Sequence, residues 1–397
     1  MKVFVFDLLA YGEQLDHLKG GGSELPYPLA RRHFNAGVAV RTYGEHLAAW
    51  EEMDRLGYDG VGFNEHHCSP YGLMNSPNLM AAAAAQRTKN LKLLIYGNLL
   101  PLHEPLRLAE ELAMIDCLSN GRLISGFARG IPREYQVHNV KLADSRARFE
   151  EAYEIITRAW SDEVFSYEGK FWSYKDVAMW PRPVQQPGPE IWIPVVGSKE
   201  SIEFAARKNA VITPGLAPGG LQDDIIRYFA KCLAAEGRKI TPNHLSLGIT
   251  CYIADSKAQA VKEYGPYQLY FNRTLFSHGN FTETSLQRQA GYATQASTDY
   301  VRPDNLKAAE HARENFRNMT MEDVARMAER MPWGTAQEVT ERILALAAHT
   351  GANMIQISLN RGVLPQEMFL EQIRRFAKEV LPALQAHQVT RVKLAEE

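Results

Sequence analysis

An alternation limits the fold of this chain more than any other feature. Short apolar runs rich in β-branched residues recur eight times, most of them followed by residues in helical period. They are VFVFDLL (3–9), GVGFNE (60–65), LKLLIYGN (91–98), RLISGFA (122–128), IWIPVVG (191–197), VIT (211–213), LSLGITCYIA (245–254) and MIQISL (354–359). Helices are expected at about 42–56, 77–88, 104–118, 145–160, 199–209, 221–236 and 366–381. A strand that is apolar along its whole length suits a parallel sheet covered on both faces. Eight such repeats predict an α/β fold, a (β/α)8 TIM barrel.

A barrel of this kind takes about 250 residues, and the chain has 397. The excess is expected within a single domain, 1–397, as insertions at about 10–41, 163–189 and 265–335. The first and third follow strands directly, which puts the main insertions at the C-terminal face, where such barrels keep their sites. The second follows the fourth helix and is expected at the opposite face. In the third, SHGNFTETSLQRQAGYATQASTDYVRPDN is polar and aperiodic, and reads either as a lid or binding loop or as plain surface loop.

The formal net charge of −2 supplies no electrostatic reason to expect nucleic acid or an anionic membrane as partner. No apolar run approaches the ~20 residues that span a bilayer. The N-terminal MKVFVFDLLAYGEQ is interrupted at Asp7 and reads as a first strand, not as a signal peptide. Cys68, Cys117, Cys232 and Cys251 show no CxxC spacing and read as reduced thiols of a cytoplasmic protein. A GxGxxG after the first strand, a Walker loop, GxSxG and HExxH are all absent, so dinucleotide, ATP, serine-hydrolase and zinc-protease readings have no support.

Three places could carry chemistry. VGFNEHHCSPYG (61–72) puts His66 and His67 where the second strand runs out. Neighbours on an extended segment point opposite ways, so at most one faces the barrel mouth. There it would exchange protons near neutral pH, or else serve as a hydrogen-bonded structural histidine. GFARGIPREY (126–135) places Arg129 just past the fourth strand, and DSRARFEEAYEII brings Arg146 to a helix start. Two arginines at one mouth can hold a phosphate bidentately; either alone reads equally as a surface residue. PVVGSKESIEF ends a strand at Gly197 and starts a helix with Ser198 and Ser201, an anion site by its free N–H groups and hydroxyls, or a plain Ser198 N-cap. Gly97, at the end of the third strand, allows a close approach to the backbone. No metal site is expected.

FNEHH, GNLLPLHEP, LSNGRLISGFARG, VVGSKES, WGTAQEVTERI and GVLPQEMFLEQIRRFAKEVLPAL occur in the order and spacing of the bacterial-luciferase-like flavin monooxygenases, and the chain resembles that family over 1–260 and 333–384. The resemblance implies a (β/α)8 barrel in which reduced FMN from a separate flavin reductase reacts with O2 at the flavin C4a carbon, and the C4a-peroxyflavin oxidises a small, largely apolar organic molecule. It implies His66 as the catalytic residue and Arg129, Arg146, Gly197, Ser198 and Ser201 around the FMN phosphate. A non-proline cis peptide would fall near Tyr96 and Gly97, with Tyr96, Gly97 and Asn98 against the flavin. Tyr11, Cys68, Arg133 and Glu134 would line the mouth and meet substrate. Ala128 stands where the luciferase catalytic subunit has a cysteine, and Pro132 where it has an aromatic beside the flavin, so a non-luminescent relative is implied; the family's common pairing of barrels implies a homodimer. F420-dependent hydride transfer on the same barrel, a non-catalytic flavin-binding partner subunit and a metal-dependent hydrolase stand as alternatives. The subunit reading is disfavoured by the retained His66 and phosphate set.

Overall fold

The eight apolar runs form one parallel sheet, because each has a neighbour on both sides that shares its direction. Its strands are β1 (Lys2–Asp7), β2 (Gly60–Phe63), β3 (Lys92–Leu99), β4 (Leu123–Ala128), β5 (Glu190–Val195), β6 (Val211–Pro214), β7 (Ser246–Thr250) and β8 (Met354–Ser358). They pair in the order β6-β5-β4-β3-β2-β1-β8-β7. The two ends of that series meet through a parallel bridge between Ile212 and Leu245, so the sheet nearly closes into a barrel. The structure, a computed structural model, describes residues 1–20, 24–214, 220–279 and 295–396.

The period of two along each strand sorts its side chains. Phe4, Leu94, Ile124, Trp192, Val211 and Met354 come from six strands and fill the interior as one buried cluster. Phe4 and Trp192 meet edge to face at 5.3 Å. The alternate residues, among them Val3, Val5, Leu93 and Ile95, pack outward in the main core. Fully burying a side chain of this size contributes roughly 1.5–3 kcal/mol, so both layers hold the sheet.

At the top of β3 the backbone departs from regular pairing. The Tyr96–Gly97 peptide is cis, and the register with β4 shifts between Ile95 and Asn98. A Cβ on Gly97 would lie 2.6 Å from the Gly126 carbonyl oxygen, and one on Gly126 would lie 2.2 Å from that of Ile95. Here the two glycines serve the close approach of two strands.

The insertions are built in different ways. After β7, the short strand Tyr252–Ile253 pairs in parallel with Trp333–Gly334, which pins both ends of the third insertion to the barrel. Trp333 is buried and donates to the Thr250 carbonyl at 3.2 Å. The insertion includes a helix, Lys257–Tyr270; residues 280–294 of the expected polar loop lie outside the described residues. The second insertion contains an antiparallel hairpin, Phe165–Glu168 with Ser173–Val177. Its turn is held by Glu151, whose carboxylate accepts the N–H groups of Lys170, Phe171 and Trp172 at 2.9–3.2 Å. The Pro-rich return sits at the face expected, where Gln185 donates to Asp116 and to the Leu123 carbonyl at the start of β4. The hairpin itself does not stay there. Arg148 lies over Trp172 at 4.4 Å and donates to the Pro101 carbonyl at 2.8 Å, and Tyr174 donates to Glu104, so the hairpin climbs toward the loop after β3.

The first helix also departs from expectation. It spans Ala36–Leu56, beginning about six residues early. Asn35 caps it by accepting the Gly37 N–H at 2.8 Å, a start signal masked in the sequence by the glycine two residues on.

Candidate active site

Two clusters meet at the C-terminal ends of the strands. The first is polar and cationic. Arg146, in the first turn of the helix Ser145–Ser161, donates from Nη2 to Ser201 Oγ at 2.9 Å and to Ser198 Oγ at 3.4 Å. Ser198 is the N-cap residue of the helix Lys199–Arg207, yet its side chain makes no capping bond. Gly197 ends the strand segment with a φ of 131°, in the region that favours glycine. Arg129, one residue past β4, reaches Ser145 Oγ at 3.5 Å. The sequence-predicted Arg129, Arg146, Gly197, Ser198 and Ser201 therefore gather around the ends of β4 and β5. Two guanidinium groups, paired hydroxyls and a helix N-terminus form a donor set suited to a phosphate dianion.

The second cluster starts at β2, where the two adjacent imidazoles part. His66 Nδ1 lies 2.9 Å from Oε1 of Glu134, and its ring meets Tyr71 edge-on at 4.8 Å. Glu134 is buried on the short helix Pro132–Val137, and its other oxygen accepts the Ile131 N–H at 2.8 Å. Gly130 makes room for it: a Cβ there would lie 2.9 Å from Glu134 Oε2. Burial pushes the Tyr71 hydroxyl up to about 12, so it is a neutral donor near neutral pH.

His67 turns the other way. Its Nε2 lies 3.0 Å from Glu65 Oε1, and His103 Nε2 lies 2.9 and 3.0 Å from the two Glu65 oxygens. Burial raises the Glu65 carboxyl, but the charge of His103 and the hydrogen bonds from His103 and His67 outweigh it and bring it down to about 2. Conversely, burial lowers His103 and the Glu65 charge raises it, with a net rise. His138 approaches His67 ring to ring at 4.3 Å, and burial followed by the charge of His67 lowers it. Among the described residues, no group of three or more His, Cys, Asp or Glu side chains is placed to hold a metal ion.

The other expected site residues differ in their surroundings. Asn98 is fully buried and donates to Asn78 at 3.0 Å and to Glu65 at 3.3 Å, which turns its amide toward the helix layer and away from the barrel interior. Its place follows from the register shift at Gly97. Tyr96 points inward instead, beside Phe6 at 6.1 Å, with its hydroxyl bonded to Thr213 and Gln356. Tyr11 is buried under the first insertion with Leu15, Leu25 and Val38, and its hydroxyl accepts the Asn35 N–H. Arg133 stacks on Tyr27 at 3.7 Å and donates to the His278 carbonyl. Glu134 is committed to His66. Cys68 is exposed in a turn with φ of 53°.

Sequence reasoning did not assign roles to His103, Tyr71, Glu200 or His278. His103 lies in the quoted GNLLPLHEP, but nothing local shows that it folds back on Glu65. His278, buried, bonds Ser69 Oγ at 2.9 Å and the Pro26 carbonyl at 3.3 Å, and burial with the Arg133 charge lowers it to about 4. It ties the loops after β1, β2 and β4 to the third insertion as a neutral ring.

The profile of the luciferase-like monooxygenase family matches residues 26–354. The chain belongs to that family. With that membership it is a flavin-dependent monooxygenase. The oxygenase component of the flavin-dependent trigonelline monooxygenase of Acinetobacter baylyi is 26% identical to the monooxygenase over 354 residues, covering 88% of this chain and 92% of the relative. The oxygenating constituent of 3,6-diketocamphane monooxygenase from Pseudomonas putida, a type II Baeyer–Villiger enzyme solved with FMN, superposes with a TM-score of 0.72 at 20% identity, covering 96% and 98% of the two chains. An F420-dependent secondary alcohol dehydrogenase superposes at 0.64 and 13% identity, covering 96% and 98%. At these identities the two structures speak for the fold alone. Among the described residues of the monooxygenase, no helix is long and apolar enough to cross a membrane.

Proposed function

We propose that this chain is the oxygenase component of a two-component system, taking reduced FMN from a flavin reductase and using O2 to oxidise a small, largely apolar organic molecule. The observation that carries the reading is Arg146 bonded to both Ser198 and Ser201 at the end of β5, with Arg129 across from them at the end of β4. Those residues, with Gly197, hold the phosphate of the cofactor. Bound reduced FMN supplies the electrons that activate O2. Tyr96 and Gly97 form the wall at the top of the barrel interior. The reading includes a cytoplasmic homodimer, an expectation carried by the family resemblance.

His66 is the proton-transferring residue. Its Nδ1–H donates to the Glu134 carboxylate, so the neutral ring carries its lone pair on Nε2. That nitrogen takes and returns a proton, and Glu134 stabilises the imidazolium while the proton is held. Tyr71 packs against the ring and restricts its rotation. Cys68, exposed after β2, is the substrate-facing residue in this reading.

The test is an anaerobic titration of the purified chain with reduced FMN, reduced riboflavin and reduced F420, followed by admission of O2 with oxygen consumption recorded. The reading expects reduced FMN to bind more tightly than reduced riboflavin and O2 uptake to follow. Tight binding of reduced F420, with no uptake from reduced FMN, would replace it with hydride transfer.

A further inference from the structure

Ser198 has one hydroxyl hydrogen, and it is already given away. Its Oγ donates to Glu200 Oε2 at 2.7 Å while accepting from Arg146 at 3.4 Å. A phosphate oxygen accepts hydrogen bonds and donates none when fully ionised, so Ser198 in this arrangement offers it nothing. Ser201 differs. It accepts from Arg146 at 2.9 Å, and its own hydroxyl points toward Ser198 only at the long distance of 3.5 Å.

The carboxylate that takes the Ser198 hydrogen is held from its other side as well. Ser297, in the third insertion, donates to Glu200 Oε1 at 2.7 Å. The neighbouring residues clasp the same turn: Lys199 pairs with Asp299 at 2.9 Å, and the Tyr300 hydroxyl donates to the Gly197 carbonyl at 2.9 Å. Burial raises the Glu200 carboxyl, and the hydroxyls of Ser198 and Ser297 together with the Arg146 charge outweigh it, leaving the group ionised near neutral pH. An anion from the chain itself thus sits beside a donor set built for an anion.

We propose that Glu200 is the resident counter-anion of the Arg146–Ser198–Ser201 cradle, which the cofactor phosphate must displace from Ser198. This rests on the phosphate reading of the cradle. Displacement frees the Ser198 hydroxyl from Glu200 Oε2, while Ser297 of the third insertion still holds Glu200 by Oε1 and keeps its charge beside the cradle. The consequence for affinity is direct. A fixed like charge next to the phosphate weakens binding, which suits a cofactor that arrives reduced and leaves after each cycle.

Dissociation constants of FMN and riboflavin for the full chain test this, with inorganic phosphate as a competitor against FMN. Glu200→Gln keeps the size and one acceptor but removes the charge. It is expected to tighten FMN by roughly tenfold, as the loss of one nearby like charge implies, to leave riboflavin unchanged and to make inorganic phosphate a stronger competitor. Ser297→Ala, which loosens the resident carboxylate without touching the cradle, is expected to tighten FMN in the same direction by a smaller factor. Unchanged or weaker FMN binding in Glu200→Gln overturns the proposal and leaves Glu200 as a helix-start carboxylate of purely structural value. Equal tightening of FMN and riboflavin overturns it too. Arg146→Ala separates the two levels. If it lowers the preference for FMN over riboflavin while Glu200→Gln has no effect, only the counter-anion proposal falls; if it leaves the preference unchanged, the cradle reading falls with it.

Discussion

His66 Nδ1 and Glu134 Oε1 stand 2.9 Å apart although they lie 68 positions apart in the chain, and Glu134 is buried behind the imidazole ring. Replacing the ring by His66→Ala is expected to lower kcat by about 10²–10⁴, the usual worth of a proton-transfer group, while the FMN dissociation constant stays within about twofold. Glu134→Gln keeps the shape and removes the charge behind the ring. Its expected signature is a lower kcat with the FMN dissociation constant unchanged, because the imidazolium loses its stabilising partner. An unchanged kcat would show that Glu134 packs the loop and does not support His66.

Arg146 offers a binding prediction. Arg146→Ala removes a charge-assisted donor, a loss of about 1.5–3 kcal/mol, and is expected to weaken FMN by roughly tenfold or more while riboflavin affinity is unaffected. Calorimetric titration with both flavins measures the ratio. Equal loss for the two would remove Arg146 from the phosphate site.

Gly126 makes a prediction about packing. A methyl group there would meet the Ile95 carbonyl oxygen at 2.2 Å, and that oxygen belongs to a backbone that cannot swing aside. Gly126→Ala is expected to lower stability by about 1–3 kcal/mol, the range for overpacking in a dense interior. Thermal melting reads this directly. Gly44→Ala, where a Cβ meets nothing within 4 Å, serves as the control and is expected to be neutral or slightly stabilising.

The Glu65–His103 pair predicts how stability follows pH. The folded carboxyl, at about 2, lies below its unfolded value, so its contribution is present above the unfolded value of about 4.3 and is lost as pH falls toward 2. His103 is raised in the fold, so its contribution is present below its unfolded value of about 6.5 and is lost as pH rises through the folded value. Stability should therefore fall on the acid side below about pH 5. Glu65→Gln is expected to flatten that limb in a series of denaturant melts; an acid limb as steep as that of the parent chain would assign it to other carboxylates.

Much of the fold was legible in the residues. VFVFDLL, LKLLIYGN and MIQISL are apolar at both parities, and only a sheet covered on both faces accommodates such strands, so a parallel barrel follows from local pattern. Position along the chain was enough to place Arg129 just past a strand and Arg146, Ser198 and Ser201 at helix starts of the same barrel face, because the C-terminal strand ends of this fold are where its sites are built. The same reasoning misplaced Asn98, because the register shift at Gly97 rotates the side chains that follow it. It also left the hairpin of residues 165–177 at the wrong end of the barrel, since Arg148 and Glu151 anchor it through contacts that have no trace in the local sequence.

The sequence by itself determined the strands, their parallel sense and the residue types waiting at their ends, because periodicity and capping are carried by neighbours along the chain. Only the tertiary structure decided the pairings. Glu65 meets His103 across 38 residues, His66 meets Glu134 across 68, and Glu200 meets Ser297 across 97. Each depends on barrel closure bringing separate loops to one face, and a carboxylate changes its chemistry with the partner it finds there.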